Sequence, residues 1–130
     1  MIVGTEWLIE ATGCNADALR DESAIRSICE AVMADLGLMS VGSVWHKFAG
    51  EGGVTGMIAL TESHLACHTY PEHRTATFNL YCCRTRPEWD WNANLRIVLG
   101  ASNISVTKVD RGELLSQAAE MKFETAGGEA

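Results

Sequence analysis

At 130 residues the chain is long enough for one hydrophobic core and too short for two. Its 47% hydrophobic and 21% charged content is that of an ordinary globular domain. Ten Lys and Arg against seventeen Asp and Glu leave a net charge of -7, which argues against a nucleic-acid or anionic-membrane surface and suits a cationic small molecule. No basic region precedes an apolar stretch at the N-terminus, and no run nears the ~20 apolar residues of a membrane span, so a cytoplasmic protein without a signal peptide is expected. Cys14, Cys29, Cys67, Cys82 and Cys83 are odd in number and form no C-x-x-C pair, as expected of reduced thiols.

Taken in chain order, Val3–Ala11 reads as a first strand closed by the turn at Gly13, Cys14 and Asn15. One helix follows as far as Leu36, with Ile25, Ile28, Cys29, Val32 and Leu36 in a single apolar stripe and Gly37 placed to cap it. Leu38–Phe48 is the second predicted strand, and Ala49–Gly53 a mobile glycine-rich loop. Val54–Leu60 and His64–Tyr70 are strand-like on either side of a Glu62-Ser63 bond. Thr75–Cys83 alternates, with Ala76, Phe78, Leu80 and Cys82 facing one way and Thr77, Asn79, Tyr81 and Cys83 the other. Pro87 suits the first turn of a second helix, whose stripe is Trp91, Leu95, Val98 and Leu99. Asn103–Val109 gives a last strand, Leu114–Met121 a short helix and 125–130 a disordered tail, so the single domain is expected over residues 1–124. This order predicts an α+β two-layer sandwich, with helices on one face of a mostly antiparallel sheet. The uncovered face would be closed by a second copy.

The most distinctive residues lie in the middle third. Leu60-Thr61-Glu62-Ser63-His64-Leu65-Ala66-Cys67-His68-Thr69-Tyr70-Pro71-Glu72 follows Trp45-His46-Lys47-Phe48 and Gly53-Val54-Thr55-Gly56, and Cys83 comes twenty residues after Ser63. Across roughly Val3–Val109 these motifs resemble the small prokaryotic S-adenosylmethionine decarboxylases, which are made as self-cleaving proenzymes. An isolated Glu-Ser pair would read as a turn; His68, Tyr70-Pro71-Glu72 and Cys83 at matching distances carry the likeness.

The resemblance implies that the chain cuts itself between Glu62 and Ser63. Ser63 Oγ attacks the Glu62 carbonyl, an ester replaces the peptide bond, and loss of the Ser63 α-proton expels the Glu62 carboxylate. Hydrolysis of the resulting dehydroalanine leaves a pyruvoyl group on a chain of residues 63–130, separate from residues 1–62. That ketone would form a Schiff base with a substrate amine and accept the electrons left by departing CO₂. By the same resemblance His68 is the processing base and Cys83 the proton donor, Phe48 stacks on adenine, and Thr55 lies near the pyruvoyl group. Tyr70 and Glu72 complete the substrate site, which is shared within a homodimer of polyamine biosynthesis. Strand parity agrees, since His68 and Cys83 both fall opposite the most apolar sheet face.

The chain departs from the family where substrate would bind. The Ala49–Gly53 loop gains glycines and Glu51, Tyr70 replaces the usual tryptophan, His73-Arg74-Thr75 is unusual, and Glu6 stands near a family histidine. Relatives thought to take L-arginine or L-ornithine make those substrates an alternative, with Glu51 or Glu6 pairing a distal cation. Phe48 and Glu72 favour S-adenosylmethionine. A non-catalytic ligand-binding or regulatory paralogue is the reading from another class. No metal is expected, because the spacing of His64, His68 and His73 fits no standard zinc pattern.

Overall fold

The computed structural model describes residues 1–112. The helix expected at Leu114–Met121, the tail at 125–130 and the domain limit at 124 lie outside the described residues. Six strands form one sheet: β1 (Gly4–Thr12), β2 (Ser40–Lys47), β3 (Val54–Leu60), β4 (Ser63–Tyr70), β5 (Thr75–Cys82) and β6 (Asn103–Arg111). They pair antiparallel throughout, in the order β2-β3-β4-β5-β1-β6.

Alternation decides which face is covered. Leu65, Cys67 and Thr69 of β4 and Ala76, Phe78, Leu80 and Cys82 of β5 are buried, and the residues between them are not. Over this face lie α1 (Ala16–Arg20), α2 (Glu22–Leu36) and α3 (Trp91–Leu99). The predicted stripe of α2 is buried to the last residue, α3 buries Trp91, Leu95 and Leu99, and Phe78 meets Trp91 with ring centroids 5.5 Å apart. On the opposite sheet face Leu8, Val44 and Met57 stand exposed. The expected α+β two-layer sandwich is the observed architecture.

Several boundaries differ from expectation. The helix reaching Leu36 is two helices, because Asp21 adopts an extended conformation between them. Its N–H closes α1 on the Ala18 carbonyl, while its carboxylate accepts from the Ser23 and Ala24 N–H groups at the start of α2. Gly37 caps α2 with a φ of 68°, as expected. Leu38 belongs to this cap and not to β2: its N–H donates to the Met33 carbonyl at 2.8 Å and its side chain is buried. Pro87 does not begin α3. Asp90 does, accepting the Ala93 N–H, and the approach is pinned where Trp89 Nε1 donates to Asp35 at 2.7 Å. The Ala49–Gly53 loop is a turn closed by the Phe48 N–H on the Gly53 carbonyl at 3.0 Å. Among the described residues no helix is long and apolar enough to cross a membrane.

Candidate active site

Two groups of the predicted site residues form at opposite ends of β4. At its N-terminal end the Thr61–Glu62 turn leads into Ser63, whose φ of 146° is one that residues other than glycine adopt only under strain. Ser63 Oγ lies 3.2 Å from Cys83 Sγ, and the Cys83 N–H donates to the Glu62 carbonyl oxygen at 2.9 Å. Cys83 can do both because β5 ends at Cys82, the residue paired with Ser63, so Cys83 sits one step past the strand with its thiol exposed. Burial pushes the Cys82 thiol up to about 11, so the adjacent cysteines differ sharply in environment.

The Glu62 side chain is held by Arg86, which the sequence reading did not single out. Arg86 Nε donates to Oε1 at 3.0 Å and Nη2 to Oε2 at 2.6 Å, with only 8% of the Glu62 side chain exposed. This hydrogen bonding, ahead of the Arg86 and Arg84 charges, holds the Glu62 carboxyl below its ordinary 4.5 against the opposing effect of burial.

His68 lies five residues further along β4, roughly 16 Å from Ser63 by the rise of a strand. It pairs in register with Thr55 of β3, and its Nδ1 is 3.2 Å from Thr55 Oγ1. Beside them a cavity of about 470 Å³ is lined by Phe48, Thr55, His68, Tyr70 and Glu72, with Gly52, Gly53 and Thr69. Gly53 is required here, since a Cβ would run into the Thr69 carbonyl. Beneath it the Thr69 hydroxyl donates to the Leu19 carbonyl at 2.7 Å and accepts the Val54 N–H at 2.8 Å, tying α1, β3 and β4 together.

The two carboxylates suggested for a distal substrate cation lie elsewhere and are already paired. Glu51 is outside the cavity lining, 2.8 Å from Arg20. Glu6 lines a groove of about 720 Å³ on the open sheet face, with Val44, Met57, His64 and Asn79. Asn79 donates to it at 2.6 Å and Arg111 at 2.8 Å, and these bonds, Asn79 first, hold its carboxyl below the ordinary value. His64 Nε2 completes the network 3.0 Å from Asn79 Oδ1. Neither Asn79 nor Arg111 was foreseen; their inward role depends on the β1–β5 and β1–β6 registers, which no local motif specifies.

The family profile described as S-adenosylmethionine decarboxylase matches residues 5–112. An S-adenosylmethionine decarboxylase proenzyme of Clostridium tetani is 36% identical over 115 residues, 85% of this chain and 87% of that one. One from Archaeoglobus fulgidus is 36% identical over 83 residues, 64% of this chain and 73% of that one. The crystal structure of the adenosylmethionine decarboxylase from Aquifex aeolicus superposes with a TM-score of 0.72 at 28% identity, covering 85% of this chain and 92% of that one. Sequence, fold and relatives agree, and the chain belongs to the S-adenosylmethionine decarboxylase family.

Proposed function

We propose that this protein cleaves its own Glu62–Ser63 bond and, as a homodimer, decarboxylates S-adenosylmethionine. The conformation of Ser63 carries the reading. A strained nucleophile stands beside a thiol, and the carbonyl it must attack already accepts an N–H. These features fit a serine converted to a pyruvoyl group. That group supplies an electrophilic ketone for the substrate amine and an electron sink for the bond to CO₂.

The chain's own side chains do the rest. His68 cannot serve the Ser63 of its own protomer across roughly 16 Å of β4. Two copies packed through the open sheet face, with their β4 strands antiparallel, bring Ser63 and Cys83 of one opposite the partner's His68. With Nδ1 set against Thr55 Oγ1, Nε2 is the ring nitrogen left to take the Ser63 hydroxyl and α-protons. Cys83 returns a proton to the substrate α-carbon once CO₂ has left. Phe48 offers its half-exposed ring to the adenine, Glu72 accepts from the ribose hydroxyls, and Tyr70 closes the cavity wall. A volume of about 470 Å³ lies within the range of small-molecule sites.

Intact mass of the denatured protein tests the cleavage. Fragments 1–62 and 63–130, the second without a free amine, are expected, and Ser63→Ala is expected to remain one chain. Release of CO₂ is then measured with S-adenosylmethionine, arginine and ornithine offered separately. An uncut chain inert towards all three would remove the decarboxylase reading, and turnover of arginine or ornithine alone would reassign the substrate.

A further inference from the structure

We propose that Arg86 is a positioning residue for self-cleavage, clamping the Glu62 side chain so that the Glu62 carbonyl stays seated on the Cys83 N–H, the oxyanion donor of the first step. The inference rests on the self-cleavage reading and adds a residue to it.

Three contacts converge on the residue that precedes the scissile bond. The Glu62 carbonyl oxygen accepts from the Cys83 N–H at 2.9 Å, and both carboxylate oxygens accept from Arg86 at 3.0 and 2.6 Å. With both oxygens engaged and its side chain 8% exposed, Glu62 is not presented to a small-molecule substrate. Its enclosure serves the turn. Among the described residues, the Thr61 N–H on the Met39 carbonyl at 2.9 Å is a further backbone bond from this turn outside the sheet ladder. Cys83 and Arg86 leave the sheet on the same short segment after β5. The clamp therefore joins the segment that carries the donor to the turn that carries the acceptor.

The step itself balances within the chain. Ser63 Oγ bonds to the Glu62 carbonyl carbon and its proton passes to the base; negative charge grows on the Glu62 carbonyl oxygen, where the Cys83 N–H points. The C–N bond then breaks, Ser63 nitrogen takes a proton, and an ester joins Glu62 to Ser63 Oγ. A single oxyanion donor is worth about 10²–10³ in rate, and a misplacement of about 1 Å about 10².

Proenzyme made by cell-free translation and sampled on denaturing gels gives the first-order cleavage rate. Arg86→Met and Glu62→Gln are each expected to slow it about 10- to 100-fold. The double variant is expected to be no slower than either, because both remove one contact. Arg86→Lys is expected to recover part of the rate, as a lysine keeps the charge but loses the two-pronged geometry. Wild-type cleavage with an unchanged rate in Arg86→Met overturns the clamp and leaves self-cleavage standing. Multiplicative losses in the double variant also overturn it, since Arg86 would then act elsewhere. An uncut wild-type chain overturns both readings. Should Arg86→Met not fold, Glu62→Gln reads the same contact with the side chain's shape preserved.

Discussion

A φ of 146° at Ser63 sets a strained backbone at the peptide bond proposed to open. Such a conformation costs on the order of 1–3 kcal/mol in a residue with a Cβ, against about 0.4–1 kcal/mol for the extra unfolded-state freedom of glycine. The strain is the larger quantity. Uncut Ser63→Gly is therefore expected to be more stable than uncut Ser63→Ala by about 1 kcal/mol in urea titrations, and the reverse order would show that Ser63 is unstrained. Glu62 gives a pH signature in the same uncut background. Its folded carboxyl lies below the ordinary 4.5, so the stabilisation by Arg86 is fully present above that value and fades as pH falls through the lower folded one. Replacing Glu62 by Gln in Ser63→Ala should thus destabilise the chain at pH 7 and matter progressively less below pH 4.5; a pH-independent gap would contradict the ion pair. Thr69 is the buried polar residue that holds the cavity floor. Thr69→Val strands the Leu19 carbonyl and Val54 N–H and is expected to cost about 1–3 kcal/mol in the same titrations.

Much of the secondary structure follows from contacts between near neighbours in the chain. The apolar stripe of α2, its glycine cap and the alternation of β5 each follow from side chains within a few positions of one another. Asp21 shows where that reading stops. The apolar stripe begins only at Ile25 and so does not mark where the helix starts, whereas the carboxylate of Asp21, accepting the Ser23 and Ala24 N–H groups, breaks the run. Asp21→Ala is expected to cost about 1 kcal/mol by chemical denaturation, and no loss would mean the break does not depend on the cap. Pro87 misled for a related reason: a first-turn proline is permissive, whereas Asp90 supplies the N-terminal acceptor that α3 uses. The candidate site divides along the same line. Phe48, Thr55, His68, Tyr70 and Glu72 line one cavity, and Ser63 meets Cys83. Arg86 was not legible, because its contact with Glu62 depends on how the chain leaves β5, and an arginine by itself names no partner.

The molecule as a whole poses a problem that one protomer does not solve. Ser63 with Cys83 and His68 with Thr55 occupy opposite ends of one strand, and a strand is too stiff to fold one onto the other. The sheet meanwhile leaves Val44 71% and Met57 58% exposed on the face that none of the described helices covers. The proposed two-fold dimer would resolve both, since it would cover the apolar residues and exchange the two strand ends. In the proposed dimer, cleavage would be a property of pairs. On the proposed roles Ser63→Ala lacks the nucleophile and His68→Ala the base, so each alone should stay uncut. Mixed dimers of the two contain one complete site, built from Ser63 of the His68→Ala chain and the partner's His68. With equal co-expression and random pairing, about a quarter of all chains should therefore be cut, every one of them a His68→Ala chain. Tags of different mass on the two variants identify which chain is cleaved. Mixed dimers that form yet remain uncut would refute the shared site, and His68→Ala alone cleaving at the wild-type rate would remove His68 from the reaction. Met57→Glu places a charge in the proposed contact and separates assembly from chemistry: with Ser63, His68 and Cys83 all intact, the monomer it should produce is expected to stay whole.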